Sequence, residues 1–174
     1  MRIVILGNAG SGKSTLARRL GTDLGIPSFH MDRLYWKPRW QQSTDEELRA
    51  KVAAVVASEQ WVIDGNYSRV LPMRLERADT AIVLDVPVRV SLLRVCKRWL
   101  LFLGRTRPDM GEGCREKWTF DAEFFRWIIT WPQRRPRTMT LLAQHSHLRV
   151  MVLSDNWKYA ELLEDLRASE ATAL

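Results

Sequence analysis

The chain has 174 residues, 46% of them hydrophobic and 27% charged, an ordinary composition for one globular domain with a real core. Two comfortable domains and a disordered chain are both poor readings. Net charge is +7, and no apolar run approaches the roughly 20 residues a membrane span needs. The opening "MRIVILGNAG" carries too short an apolar stretch for a secretion signal. Cys96 and Cys114, with no C-x-x-C spacing, indicate neither a disulfide framework nor a zinc site, so a reducing cytoplasm is the expected setting.

Five short runs read as strands: 2–6, 27–31, 61–64, 80–86 and 148–154. The first, fourth and fifth are nearly continuous apolar runs, as expected of parallel strands buried on both faces. Between them lie helical patterns. Leu16, Leu20 and Leu24 form one stripe after Lys13. Ser43 followed by Glu46 predicts a capping box for a helix carrying Leu48, Val52 and Val55. Pro87 opens a helix over 87–103, with Cys96 expected inside its packing. Tyr159, Leu162, Leu163 and Leu166 mark a last helix over 157–167. The alternation predicts one doubly wound α/β domain over 1–174, with five parallel strands and helices on both faces.

Residues 104–137 break the pattern. "GRTRPDMGEGCREKW" is rich in turn formers, "FDAEFFRWIITW" is aromatic and helical, and "PQRRPR" follows. The expectation is a mobile, basic, lid-like insertion between the fourth and fifth strands. Trp118, Phe124, Phe125 and Trp127 would bury its helix, and Cys114 would be an ordinary lid thiol. From Arg94 to Arg137 eleven Lys and Arg face five acids, a local +6 that is nearly the whole imbalance. An anionic partner is expected there, either nucleotide phosphates or a nucleic-acid backbone. His145 and His147 in "QHSHL" lack nearby partners for a metal and read as a surface turn.

"GNAGSGKS", residues 7–14, fits G-x-x-x-x-G-K-[ST], between a buried strand and a helix start. Glycines at 7, 10 and 12 let backbone N–H groups turn inward around phosphate oxygens, and the helix N-terminus adds partial positive charge. The cradle comprises Gly7, Asn8, Ala9, Gly10, Ser11, Gly12, Lys13, Ser14 and Thr15. Lys13 should reach the β- and γ-phosphates of ATP, and the Ser14 hydroxyl should ligate Mg²⁺. A second oxygen ligand is expected at a strand end. Asp64 in "WVIDGNY" is favoured over Asp85, which is expected to cap the helix beginning near Pro87.

With these residues in place the chain resembles P-loop kinases of the adenylate kinase-like group. It is most similar there to the FlaR-like kinases, the DNA topology modulation proteins. "WVIDGNY" resembles the "DG" strand end of nucleoside monophosphate kinases. "LDVPVRVSLLRVCKR" resembles the helix leading into their lid, which implies Arg94 against adenine and Arg98 on phosphate. The FlaR-like likeness also covers "HMDRLYWKPRW" and "GRTRPDMGEGC", from Met1 to about Arg137. One departure stands out: Asn66, Tyr67, Ser68 and Arg69 replace the family's Phe-Pro-Arg after "DG". Arg69 or Arg74 is the expected substitute for the missing acceptor arginine.

Asp32 follows the second strand, within an acceptor-side segment of about 32–60. In similar kinases such as shikimate kinase, an Asp there binds the acceptor hydroxyl, which it can orient and deprotonate. Tyr35, Trp36 and Trp40 read as local core, as a pocket wall, or as a stacking platform for single-stranded nucleic acid. Among Arg105, Arg107, Arg126, Arg134, Arg135 and Arg137, phosphoryl transfer uses one to three cations, and Arg134 and Arg137 are best placed in sequence. The expected function is ATP-dependent phosphoryl transfer to a small-molecule or nucleotide acceptor. The alternative is a nucleotide-regulated protein whose basic insertion grips DNA.

Overall fold

The computed structural model describes residues 1–116, 121–154 and 156–172. Trp118, expected to help bury the insertion, lies outside the described residues. In chain order come β1 (Arg2–Gly7), α1 (Lys13–Leu24), β2 (Ser28–His30), α2 (Met31–Tyr35), β3 (Trp36–Lys37), β4 (Gln41–Gln42), α3 (Asp45–Val56) and β5 (Trp61–Asp64). They are followed by α4 (Leu71–Arg77), β6 (Thr80–Leu84), α5 (Val88–Phe102), α6 (Ala122–Ile129), α7 (Trp131–Ala143), β7 (Arg149–Leu153) and α8 (Tyr159–Thr172).

Five strands pair in parallel in the order β2-β5-β1-β6-β7, while β3 and β4 form a small antiparallel ribbon. Alternate side chains serve opposite faces. Val4, Leu6, Ile63 and Val83 pack with Leu48 and Val52 of α3, with Leu71 and Leu75 of α4, and with Leu142 of α7. Ile3, Ile5, Val62 and Ile82 pack with Leu16 and Leu20 of α1 and Leu162 and Leu166 of α8. The register sets His30 beside Asp64, Asp64 beside Ile5, and Gly7 beside Leu84. One rim of the sheet therefore gathers the ends of β2, β5, β1 and β6.

Several expectations are corrected here. β7 alternates half-buried and exposed residues because it is an edge strand, whereas β5, flanked by β2 and β1, is buried throughout. The capping box belongs to Thr44 and Glu47, one residue later than Ser43 and Glu46. Ser43 is buried, its hydroxyl donating to Leu34 O (3.3 Å) and accepting from Lys51 Nζ (3.1 Å), so it has no role at the helix start. Asp85 caps nothing: α5 starts without a side-chain cap, and Asp85 pairs with Arg135 of α7 at 2.9 Å. Cys96 is exposed, not inside the packing of α5 as expected, and Cys114 is buried.

"PQRRPR" is helical. Pro132 sits in the first turn of α7, where a missing N–H costs little, and Pro136 lies inside the helix. Burial of Trp131 and Leu142 at its two ends holds the helix despite the lost hydrogen bond. In α6 the buried residue is Ile128, while Trp127 is exposed. The insertion's first half is no free flap. Met110 and Cys114 are buried, and bridges join Leu103 to Glu116 and Thr106 to Arg115.

Candidate active site

The phosphate loop is built as its composition requires. A Cβ on Gly10, whose φ is +76°, would stand 2.4 Å from Ser91 O, so α5 presses directly on the loop backbone. Gly12 is the left-handed N-cap of α1, with no side-chain cap and no acid in the first turn. The first N–H groups of this 12-residue helix are thus left for an anion. Lys13 Nζ donates to Asn8 O (2.7 Å). Burial lowers the pKa of this ammonium, with Asp64 and then Asp32 acting in the opposite direction.

Two further contacts seat the loop. The Asn66 amide accepts from Gly7 N–H (3.1 Å) and donates to Gly7 O (2.8 Å), joining the phosphate loop to the segment after β5. Asn8, fully buried, donates through Nδ2 to Ile128 O (3.0 Å) at the end of α6. Arg94 reaches Ser11 O (3.1 Å), along the loop where the resemblance places a nucleotide base. Thr15 is exposed and Ser11 is buried.

Ser14 Oγ donates to Asp64 Oδ2 at 2.7 Å, so the two expected magnesium ligands are adjacent. His30 Nδ1 lies 2.5 Å from Asp64 Oδ1 and orients the carboxylate from its other side. A hydroxyl and a carboxylate are the hard oxygen donors Mg²⁺ prefers. Among the described residues no cluster of three or more His, Cys, Asp and Glu suits a metal, so magnesium here would depend on the phosphates for further ligands.

At the end of β2, where the sequence predicts an acceptor, Asp32 sits in the first turn of α2 and accepts from the Tyr67 hydroxyl at 2.6 Å through Oδ1. Burial, then the charge of Asp32, pushes the Tyr67 phenol up, so Tyr67 remains a donor. The segment carrying Tyr67 is held by Arg74. This fully buried guanidinium donates to Gly65 O (2.6 Å) and Asn66 O (2.6 Å). Arg69 extends outward to Asp45 (2.6 Å). Both arginines are engaged by these partners.

The segment 104–116 folds onto residues 33–40. Trp40 Nε1 donates to Arg115 O (2.7 Å), Cys114 Sγ to Lys37 O (3.2 Å), and Arg39 N to Gly113 O (3.2 Å). A Cβ on Gly111 would stand 3.0 Å from Trp36 O. Arg107 and Asp109 of this segment are buried. Arg107 is paired with Glu116 (2.6 Å) and Asp109 (3.5 Å). Burial pushes the Asp109 carboxyl up, but Arg107 and Arg98 together hold it below the usual value. Arg98 is lowered by burial and by Arg107, against the pull of Asp109, Glu116 and Asp32. Lys13, Arg98, Asp32 and Asp109 therefore share one electrostatic neighbourhood.

The remaining lid arginines diverge. Arg134 stacks on Trp127, 4.1 Å from the ring centre, and donates to Trp127 O. Arg135 pairs with Asp85, while Arg105, Arg126 and Arg137 are exposed. Tyr35, Trp36 and Trp40 form an edge-to-face ladder, with Tyr35–Trp36 centroids 5.0 Å and Trp36–Trp40 centroids 5.4 Å apart. Rings meeting edge-on do not offer the row of open faces that base stacking uses. His145 and His147 lie in a turn, bonded to Leu141 O and Leu75 O.

Sequence reasoning missed His30, Asn66, Tyr67 and Asp109. "DGNY" held a signal for two of them, since Asn66 and Tyr67 follow Asp64 directly at the strand end. Asp109 stood in a stretch read chiefly for its positive charge.

No family model and no curated protein matches the chain. Solved structures do. Shikimate kinase from Aquifex aeolicus aligns with a TM-score of 0.56 and 17% identity, covering 99% of this chain and 98% of that one. Shikimate kinase from Acinetobacter baumannii, in complex with shikimate, gives 0.57 and 15%, covering 99% and 93%. Deoxyadenosine kinase from M. mycoides with bound dATP gives 0.51 and 14%, covering 98% and 100%. The fold is that of the P-loop kinases. Nothing in these comparisons supports the DNA-binding alternative. No helix among the described residues is long and apolar enough to cross a membrane.

Proposed function

We propose that the protein is an ATP-dependent kinase that transfers the γ-phosphoryl group to a hydroxyl held at Asp32. The observation that carries this is the Ser14–Asp64 contact of 2.7 Å at the end of a complete phosphate loop, with Asp32 acting on the Lys13 ammonium from the acceptor side. The loop from Gly7 to Thr15 holds the triphosphate, and Arg94 flanks the base. Ser14 and Asp64 would hold Mg²⁺, which when bound neutralises phosphate charge.

Asp32 Oδ1 is fixed by Tyr67, which leaves Oδ2 for the acceptor. The acceptor hydroxyl oxygen attacks the γ-phosphorus as its proton passes to Asp32. The bond from that phosphorus to the β–γ bridging oxygen breaks, and ADP leaves with the electron pair. Lys13 and Arg98 balance the charge spread over the transferring group. Asn8 holds the end of α6 beside the loop; Arg134 and Arg137 of the following helix are proposed as further phosphate cations, Arg134 after leaving its stack on Trp127. Residues 104–116 cover the acceptor side and exclude water that would otherwise take the phosphoryl group. The FlaR-like subfamily remains part of this reading, because "TRPDMGEGC" forms that cover.

Lys13→Ala tests the proposal. It should abolish ATP turnover and weaken ATP binding in calorimetry; retained affinity and turnover would sink it.

A further inference from the structure

The carboxylate of Asp64 is held from two sides. Its Oδ2 accepts from Ser14 Oγ of α1 (2.7 Å), and its Oδ1 meets His30 Nδ1 at the end of β2 (2.5 Å). A carboxylate only accepts hydrogen bonds, so the proton of the second contact is carried by Nδ1. Asp64 and His30 are both buried, and the parallel register sets them side by side at the ends of neighbouring strands. The chain around His30 leaves it little freedom. β2 precedes it, and the buried Met31 follows it, with its Cβ 2.7 Å from where a Cβ on Gly65 would stand. His30 is also the N-cap residue of α2, yet its side chain makes no capping hydrogen bond. The imidazole serves Asp64 instead of the helix start.

Ser14 contributes a hydroxyl with one proton and two lone pairs. The proton goes to Asp64, which leaves the lone pairs for a cation. Their direction follows from where Asp64 Oδ2 stands. Rotation of an aspartate carboxylate about its Cβ–Cγ bond is soft, because this torsion joins sp³ and sp² atoms and lacks sharp staggered wells. One bond to a rotatable hydroxyl does not fix it. The second bond, from the ring of a buried histidine, does.

We propose that His30 is a positioning residue for magnesium: by holding Asp64 Oδ1 it fixes the Asp64–Ser14 pair that would take the ion. This rests on the kinase reading above, with Ser14 and Asp64 as its metal ligands. Residues that orient metal ligands without touching the ion typically change metal affinity by about ten- to a hundredfold when removed. The role belongs to the metal and not to the nucleotide. Asn66 and Asn8 seat the phosphate loop through contacts that do not involve His30.

The test titrates a non-hydrolysable ATP analogue into the full chain by calorimetry, over a series of magnesium concentrations and in excess EDTA. His30→Leu removes the donor and keeps apolar bulk, whereas His30→Asn keeps an N–H donor on a side chain of similar reach. In His30→Leu the magnesium concentration at half effect should rise by at least about fivefold, while affinity in EDTA stays within about twofold of wild type. His30→Asn should recover most of that shift. A smaller shift in a folded His30→Leu protein would overturn the proposal. So would equal losses with and without magnesium, or a His30→Asn protein as impaired as His30→Leu.

A second measurement needs neither variant to fold. Nitrogen NMR of isotope-labelled histidines in the wild type should find a proton on His30 Nδ1, both alone and with magnesium and the analogue; a bare Nδ1 overturns the proposal. Wild-type protein that does not bind the analogue, or binds it without response to magnesium, faults the kinase reading itself, and the role of His30 falls with it.

Discussion

Replacing Asn66 by alanine removes a two-point clamp, because its amide both accepts from and donates to Gly7. A net hydrogen bond contributes about 1 kcal/mol, and a buried polar group left unpaired costs about 1–3 kcal/mol. Both Gly7 groups lose their side-chain partner at once, so about 2–4 kcal/mol of restraint on the phosphate loop disappears. Alternative loop conformations then compete with the one that binds phosphate. Apparent affinity falls in proportion to the competent population, and about 2 kcal/mol corresponds to roughly thirtyfold. Calorimetric titration of the variant with magnesium and a non-hydrolysable ATP analogue reads this directly. Asn66→Asp should behave no better, since a carboxylate keeps the acceptor but places a second oxygen against Gly7 O. Affinity within about twofold of wild type in a folded Asn66→Ala protein would refute the reasoning.

The other predictions draw on the same geometry. Lys13 is held below its ordinary pKa chiefly by burial, so in the folded state its charge is disfavoured. The unfolded chain therefore binds more protons between the two pKa values, and stability rises with pH across that window. Lys13→Met should accordingly raise the melting temperature of the nucleotide-free protein at neutral pH while abolishing turnover; a lower melting temperature would count against a desolvated Lys13. Asp32→Asn should leave ATP affinity nearly unchanged and reduce transfer to the acceptor by about a hundredfold, within the range general base catalysis supplies. Equal loss of both would return Asp32 to a structural role. Trp40→Phe deletes the hydrogen bond to Arg115 O and should speed amide hydrogen exchange across 104–116 while leaving the central sheet unchanged.

Much of the fold was legible because its signals are local. The loop motif, the leucine stripe of α1 and the apolar strands can each be read within a short window of sequence. Sheet order cannot. Nothing near Arg149–Leu153 says that this strand lies at an edge, and its exposed Val150 and Val152 follow from what does not flank it. α7 was hidden because Pro132 and Pro136 carry a strong local breaking signal, while the burial that outweighs it, at Trp131 and Leu142, comes from tertiary packing. Ser43 and Thr44 are equally good caps by composition. Only the distant partners Leu34 and Lys51 decide between them. For the site the same division holds. Lys13, Ser14 and Asp64 announce themselves by motif and strand end, whereas Asp109 enters because its loop, distant in sequence, docks against Trp36 and Trp40.

That docking has a consequence for engineering. The 104–116 segment takes its shape from residues 37–40 as much as from its own sequence, through the Lys37 carbonyl that meets Cys114, the Trp40 indole and the N–H of Arg39. Grafted alone onto another protein of this fold, it would arrive without its seat. The stretch "HMDRLYWKPRW" and the stretch "GRTRPDMGEGC" are two halves of one transplantable part, and a graft would have to carry both.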